Sequence, residues 1–488
     1  MRRTRKVKLR WLSQGIVGIF LAAFVALGLG LQPVNALGNS ENASDKTRAD
    51  GSPFVSKPGG SHAPRTLQKN NADQPFEAEC PKEIKCIVMP AAYASNNNDV
   101  GEYGNYDKAN RPQDMKINSI VVHDTEGDLQ SVLDAFQDPT FYASSHYVID
   151  KDGTVYQMVQ NKDIAWHAGN WWYNMHSIGI EHVGFAHNGN TDYTPEMYEA
   201  SATLTKWLAA KYNIPRDRQH VLGHDNVPAP TVARINNMHT DPGPYWNWQK
   251  YGDKAGLKLD NFHFSNKFVT IAPKWDKNKQ MVTGCGKGVE VCVPENELSA
   301  NFVYLRTEPD QNAPLIKEPV KGEGSTDIYN NNARVFYGQS LAIADAQFKR
   351  EGIWYKVWVN GTSGWFFSSW EEPTAYPTKG KYITPKSGVQ TVAIYGRPLP
   401  ESNEYPADFT YPAGAIPLPE KLPYAINAGE RYKVIDGPIK PDHYYAWTID
   451  KSLPYDHTVF KGNQDYYLVQ FGNRPYFVKA SEVDVRKW

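Results

Sequence analysis

The sequence predicts an α/β domain with a mixed sheet flanked by helices, followed by two small all-β modules. Three observations lead there. At 488 residues the chain is too long for one core, so several domains are expected. Between about residues 117 and 255, β-type runs alternate with helical periods. Beyond about residue 300 the helical periods stop, and short aromatic strands recur among Gly, Asn and Pro turns. Apolar residues at 41% and charged residues at 22% are ordinary for globular protein and argue against global disorder.

The amino-terminal end reads as an export signal. Arg2, Arg3, Arg5, Lys6, Lys8 and Arg10 precede an apolar run from about Ile16 to Leu31, and Val34-Asn35-Ala36 offers small residues for cleavage. The alternative is an uncleaved anchor, but the run is shorter than the ~20 residues a span needs. We therefore expect residues 1–36 to be a signal peptide and the mature protein to be secreted, without stable membrane insertion. Cleavage removes six basic and no acidic side chains, leaving an excess of seven acids. That balance excludes the electrostatic footprint of a nucleic-acid binder. Residues 37–78, rich in Ser, Asn, Gly, Pro and Lys, read as a flexible linker.

The domain expected at 79–255 is built from recognisable pieces. Ile117-Asn118-Ser119-Ile120-Val121-Val122 is a buried-type strand. Lys151-Asp152-Gly153 turns between two β runs to make a hairpin. Ser177-Ile178-Gly179-Ile180-Glu181 is a further inner strand. Leu129, Val132, Leu133 and Phe136 share one helical face. A second helix begins with Thr194 as N-cap and Pro195 in its first turn, carries Met197, Ala200, Leu204, Trp207 and Leu208 as its stripe, and ends at Asn213-Ile214-Pro215.

A linker is expected at 256–297, then one β module at 298–373 and a second at 385–488, with Pro398 to Pro423 as an insertion. Four cysteines stand as two close couples, Cys80 with Cys86 and Cys285 with Cys292. Export makes disulfides the default, and pairing within each couple is expected. Three connectivities remain formally open, and the offsets do not suit a zinc knuckle.

Four polar positions stand beside apolar strands or rigid turns: His123 in Val122-His123-Asp124-Thr125, Glu181 at a strand end, His224 in Gly223-His224-Asp225, and Asp241 in His239-Thr240-Asp241-Pro242-Gly243. Function concentrates at such places. Together with Ser145-His146-Tyr147-Val148-Ile149 and Ala165-Trp166-His167-Ala168-Gly169, in this order, they make segment 117–245 resemble the zinc-dependent N-acetylmuramoyl-L-alanine amidases, relatives of the peptidoglycan recognition proteins.

The resemblance implies Zn2+ held by His123, His224 and Asp241, with peptidoglycan as substrate and partner. Catalytic zinc commonly takes three protein ligands and keeps one position open, where bound water ionises near pH 7. Glu181 matches the family's proton-shuttling acid; alone it would read as a capping or ion-pairing glutamate. Many relatives carry Lys or Arg two residues before the third ligand; here His239 stands there. It is either an oxyanion-stabilising donor or itself a ligand with Asp241 behind it. His167 is either a substrate contact or a hydrogen-bonded structural histidine. Trp171, Trp172 and Tyr173 either stack on substrate or fill a core. Arg306-Thr307-Glu308-Pro309, Gly338-Gln339-Ser340 and Trp354-Tyr355-Lys356-Val357-Trp358 resemble a bacterial SH3-like module, which in relatives tends to bind wall; the last hundred residues repeat that signal weakly. The expected protein is a monomeric, secreted, autolysin-like hydrolase. The competing reading is a non-catalytic peptidoglycan-recognition protein.

Overall fold

Six strands form the first sheet of the computed structural model: β1 Cys86–Val88, β2 Ser119–Val122, β3 Tyr147–Ile149, β4 Val155–Gln157, β5 Ser177–His182 and β6 Val221–Gly223. Their spatial order is β1-β4-β3-β5-β2-β6. β3 and β4 are the antiparallel hairpin around Gly153, and every other pairing is parallel, so the sheet is mixed. The structure describes residues 76–264, 267–284, 298–412 and 414–487. The expected signal peptide, the expected linker up to residue 75, Cys285 and Cys292 lie outside the described residues. Among the described residues no helix is long and apolar enough to cross a membrane. Cys80 and Cys86 form a disulfide beside β1.

The apolar run of β2 shows why both faces of this sheet must be covered. Side chains alternate across a strand. Ile120 and Val122 therefore join one core with Leu133 and Phe136 of helix α1 (Leu129–Gln137) and Leu204 and Leu208 of helix α3 (Pro195–Tyr212). Asp128 caps α1 by accepting from the Ser131 N–H, and Thr194 caps α3 by accepting from the Met197 N–H. Asn213 closes α3 in the left-handed conformation. Val121 of β2 and Leu222 of β6 point the other way, into a second core with Trp172 and Tyr173 of helix α2 (Trp171–His176).

That second core continues into the carboxyl-terminal part of the chain. Seven strands, β12 Lys381–Pro385, β13 Thr391–Tyr395, β14 Lys421–Asn427, β15 Tyr432–Ile439, β16 Tyr466–Gln470, β17 Pro475–Lys479 and β18 Val483–Lys487, form a sheet in the order β14-β13-β17-β16-β15-β12-β18. Its Val392, Ile394, Leu468 and Phe477 pack in one cluster with Val121, Leu222, Val227 and Met238. Fully burying a side chain of this kind contributes about 1.5–3 kcal/mol, so the first sheet left bare on this face would forfeit much of its stability.

The intervening β region is a five-stranded sheet: β7 Phe268–Ile271, β8 Ser340–Phe348, β9 Gly352–Val359, β10 Thr362–Ser369 and β11 Ala375–Thr378, ordered β10-β9-β8-β7-β11. Two boundaries differ from the sequence reading. β7 lies inside the segment read as a linker; its four residues pair with Ser340–Ala342 on one side and Ala375–Thr378 on the other, partners too distant in the chain to be inferred from local pattern. β11 and β12 likewise fall in and around the gap expected between the modules. The insertion between β13 and β14 builds a small aromatic core of its own, with Tyr405, Phe409 and Tyr411 against Tyr445 and Phe460.

Candidate metal centre

Register alone brings three of the four singled-out positions together. β5, β2 and β6 are adjacent and parallel, and Val122 pairs with Ile180 on one side and Gly223 on the other. The next residue on each strand line is Glu181, His123 and His224. All three therefore stand in one row at the carboxyl edge, where open α/β sheets place their sites. Asp241 arrives on a loop whose carbonyl accepts from the Asp225 N–H at 2.7 Å. The Tyr193 hydroxyl lies against Asp124 and the Pro242 carbonyl, tying that loop to the end of β2.

His123, His224 and Asp241 each present a ligand atom within 4.8 Å of the others, and all three are buried. The Nδ1 atoms of the two histidines are 3.0 Å apart. Asp241 Oδ1 is 3.0 Å from His224 Nδ1, and its Oδ2 is 3.3 Å from His123 Nδ1. Ligands of a tetrahedral ion held at about 2.0 Å stand about 3.3 Å apart, so the donor set fits zinc in type and spacing.

The tautomer of His123 follows from a chain of hydrogen bonds behind it. The Ser177 hydroxyl donates to the Tyr173 carbonyl, so its oxygen accepts from His167 Nε2–H at 3.1 Å. His167 Nδ1 is then an acceptor, taking the His123 Nε2–H at 3.0 Å. This leaves the lone pair of His123 on Nδ1, facing Asp241 and His224. Burial, reinforced by His224, lowers His123 to about 4, so it is neutral at neutral pH as a ligand must be.

Glu181 sits beside this group, with Oε1 3.9 Å from His123 Nδ1 and Oε2 buried without a hydrogen-bond partner among the described residues. Burial, then Asp241, pushes its carboxyl well above the usual range. Asp241 goes the other way: burial opposes, but the neighbouring His224 and then His123 hold it well below. Two carboxyls driven apart in this way can divide a charged and a proton-carrying role.

His239 stacks on His224, with ring centres 4.2 Å apart and planes at 16°, and its Nδ1 is 3.8 Å from Asp241 Oδ1. Burial and the neighbouring His224 lower its pKa, making it a neutral N–H donor at the rim rather than a cation. His167, read as a possible substrate contact, instead has both ring nitrogens engaged by Ser177 and His123. Trp171 and Trp172 are corrected too. Trp171 donates to the Tyr444 carbonyl at 3.0 Å, and Trp172 meets Phe477 edge to face at 4.9 Å. Both rings are 2–3% exposed, Trp172 in the core shared with the carboxyl-terminal sheet and Trp171 in a small cluster with Met115, Met175 and Tyr444, leaving no face for substrate.

Three contributors escape a reading of the sequence. Ser177 reads there only as a strand residue. Arg111, buried, donates to the carbonyls of Asn174, Met175 and Ser177 and so fixes the start of β5. Arg474 reaches the ligand loops from the far end of the chain. None of the three lies in a local pattern that marks it.

The profile of the N-acetylmuramoyl-L-alanine amidase family matches residues 113–244, which contain every residue of the centre. N-acetylmuramoyl-L-alanine amidase A of Achromobacter lyticus is 31% identical over 153 residues, covering 28% of this chain and 81% of that protein. The 1,6-anhydro-N-acetylmuramyl-L-alanine amidase AmpD of Salmonella typhimurium is 32% identical over 165 residues, covering 29% of this chain and 82% of that protein. A solved AmpD derivative is 26% identical, covering 36% of this chain and 95% of its own, with a TM-score of 0.26. With a matching profile over the site and a relative covered for most of its length, the chain belongs to the N-acetylmuramoyl-L-alanine amidase family.

Proposed function

We propose that this protein is a secreted zinc amidase that hydrolyses the amide bond between N-acetylmuramic acid and L-alanine in bacterial peptidoglycan. The observation that carries this reading is the convergence of His123, His224 and Asp241 within 4.8 Å at a buried strand edge, with Glu181 beside them. These three residues would hold the ion. Zinc, when bound, supplies a Lewis acid for the unreactive amide carbonyl and an acidified water.

The chain's own groups do the rest. His123 and His224 offer neutral nitrogens and Asp241 an anion, which together favour a dication. Glu181 Oε2, without a partner among the described residues, is placed to take a proton from the attacking water. It returns that proton to the departing L-alanine nitrogen as the C–N bond breaks, so acid and amine are released with no net proton taken up at Glu181. His239 donates an N–H toward charge developing on the carbonyl oxygen. The chemistry needs a carboxyl that readily carries a proton, and the burial of Glu181 provides it.

Secretion is supported by the basic and apolar pattern of residues 1–36 and by the Cys80–Cys86 disulfide. The β region at 298–373 is read as an SH3-like module on its Arg306–Pro309 and Trp354–Trp358 motifs, and the last hundred residues as a weaker repeat of that signal.

The test is digestion of purified wall by wild type, Glu181→Ala and His123→Ala, with product and metal analysis. Wild type should expose new L-alanine amino termini without new reducing sugar ends. Both variants should be inactive, with zinc kept only in Glu181→Ala. Wall binding without cleavage by the wild type would favour the recognition-protein reading instead.

A further inference from the structure

The turn between β16 and β17 inserts a cation into the wall of the metal centre. Arg474 is 5% exposed. Its Nη1 donates to the carbonyls of Val227 and, at 3.3 Å, His224; its Nη2 donates to the His239 carbonyl at 2.6 Å. The neighbouring Asn473 carbonyl accepts from Asn226 Nδ2 at 3.0 Å and from Nε2 of Gln339, the residue before β8, at 2.8 Å. One turn of the carboxyl-terminal sheet thus grips residues 224–227 and residue 239.

Those contacts fall on the two loops that present ligands. Residues 224–227 begin at His224, and residue 239 precedes Asp241 by two. A planar guanidinium carries several donors in a rigid fork, so it can satisfy three carbonyls from two loops at once; an ammonium is a point donor on a flexible stem. Without it, three carbonyls in a closed interface lose a charge-assisted partner. Among the described residues, the backbone hydrogen bond left between the loops would then be that from Asp225 to Asp241.

We propose that Arg474 is a positioning residue for the metal centre: supplied by the carboxyl-terminal sheet, it locks the loops bearing His224 and Asp241 at the spacing that binds the ion. Arg474 touches neither substrate nor ion; it acts through the backbone of the ligand loops. This makes the carboxyl-terminal region part of the catalytic unit, in addition to any contact it makes with wall. The inference rests on the zinc reading of the site.

The experiment measures zinc affinity of the full chain by competition with a chromophoric chelator, for wild type, Arg474→Lys, Arg474→Met and Phe477→Leu. Phe477 packs on Trp172 from the next strand, and its ring can make no hydrogen bond to the ligand-loop carbonyls, so its variant reports general loosening of the interface. Substitutions behind metal ligands typically cost about 10–100-fold in affinity. We expect a loss of that size in Arg474→Met, a smaller one in Arg474→Lys, and wild-type affinity in Phe477→Leu despite a lower Tm. Native-like circular dichroism in Arg474→Met with affinity within twofold of wild type overturns the proposal. If Arg474→Met does not fold, affinity within twofold of wild type in Arg474→Lys overturns it. An equal loss in Phe477→Leu also overturns it, since any loosening would then suffice. Wild type that binds no zinc sinks the metal reading and this inference together, whereas zinc-binding wild type with indifferent Arg474 variants sinks this inference alone.

Discussion

His167 Nδ1 lies 3.0 Å from His123 Nε2, on the side of the His123 ring opposite the metal centre. A ligand histidine is oriented by whatever holds its second nitrogen. Here the holder is another neutral imidazole, itself fixed by Ser177. His167→Ala should therefore weaken zinc binding about 10–100-fold, with a smaller loss in Ser177→Ala. Chelator competition on both variants checks this. Unchanged affinity in His167→Ala would show that packing alone orients His123.

Glu181→Gln preserves shape and removes the titrating group. We expect kcat on wall fragments to fall by about 10²–10⁴-fold, with zinc content unchanged. Burial raises the Glu181 carboxyl in the fold, so ionising it there opposes folding at neutral pH. The metal-free Gln variant should therefore unfold at a temperature no lower than metal-free wild type. Calorimetry beside a turnover assay reads both, and a clear drop in Tm would contradict the account of its burial.

Asp163 gives a pH dependence away from the metal. Burial raises its carboxyl to about 6, against the Ala109 N–H it accepts from and the nearby Lys162 and Arg111. The folded protein thus holds this proton more tightly than the unfolded chain does. Its contribution to stability is full below about pH 4, is lost as pH rises toward 6, and is flat beyond. Raising a carboxyl from about 4 to about 6 corresponds to about 3 kcal/mol. Asp163→Asn should gain on wild type by about that amount between pH 4 and pH 6 in urea unfolding. A difference that does not change with pH would refute it.

Phe477 tests whether the molecule unfolds as one. Its ring is fully buried in the cluster that holds Val121 and Leu222. Phe477→Ala should cost about 3–5 kcal/mol and shift a single unfolding transition of the described region. Two separate calorimetric transitions, one unmoved by the variant, would contradict a shared core.

How far the sequence alone reaches depends on the range of the interactions. The β2 run and the caps of α3 are local, and Ile120-Val121-Val122 and Thr194-Pro195 are legible as they stand. The four site positions are legible through a family resemblance, and register then explains why three of them share a row. β7 escapes because Phe268–Ile271 is short and its partners lie far along the chain. Trp171 and Trp172 read in one dimension as either stacking or core residues; only distant partners, Tyr444 for Trp171 and the carboxyl-terminal sheet for Trp172, make them core. Arg474 is one arginine among many until the turn carrying it meets His224 and His239.

The joint between the first and last sheets bears on how such an enzyme could be rebuilt. Exchanging its tail for another targeting domain, as one would with beads on a string, would expose Val121, Leu222 and Trp172 to water and strip the carbonyls of His224 and His239 of their shared donor. A graft that respects this chain must add new parts outside the last strand and leave that seam intact.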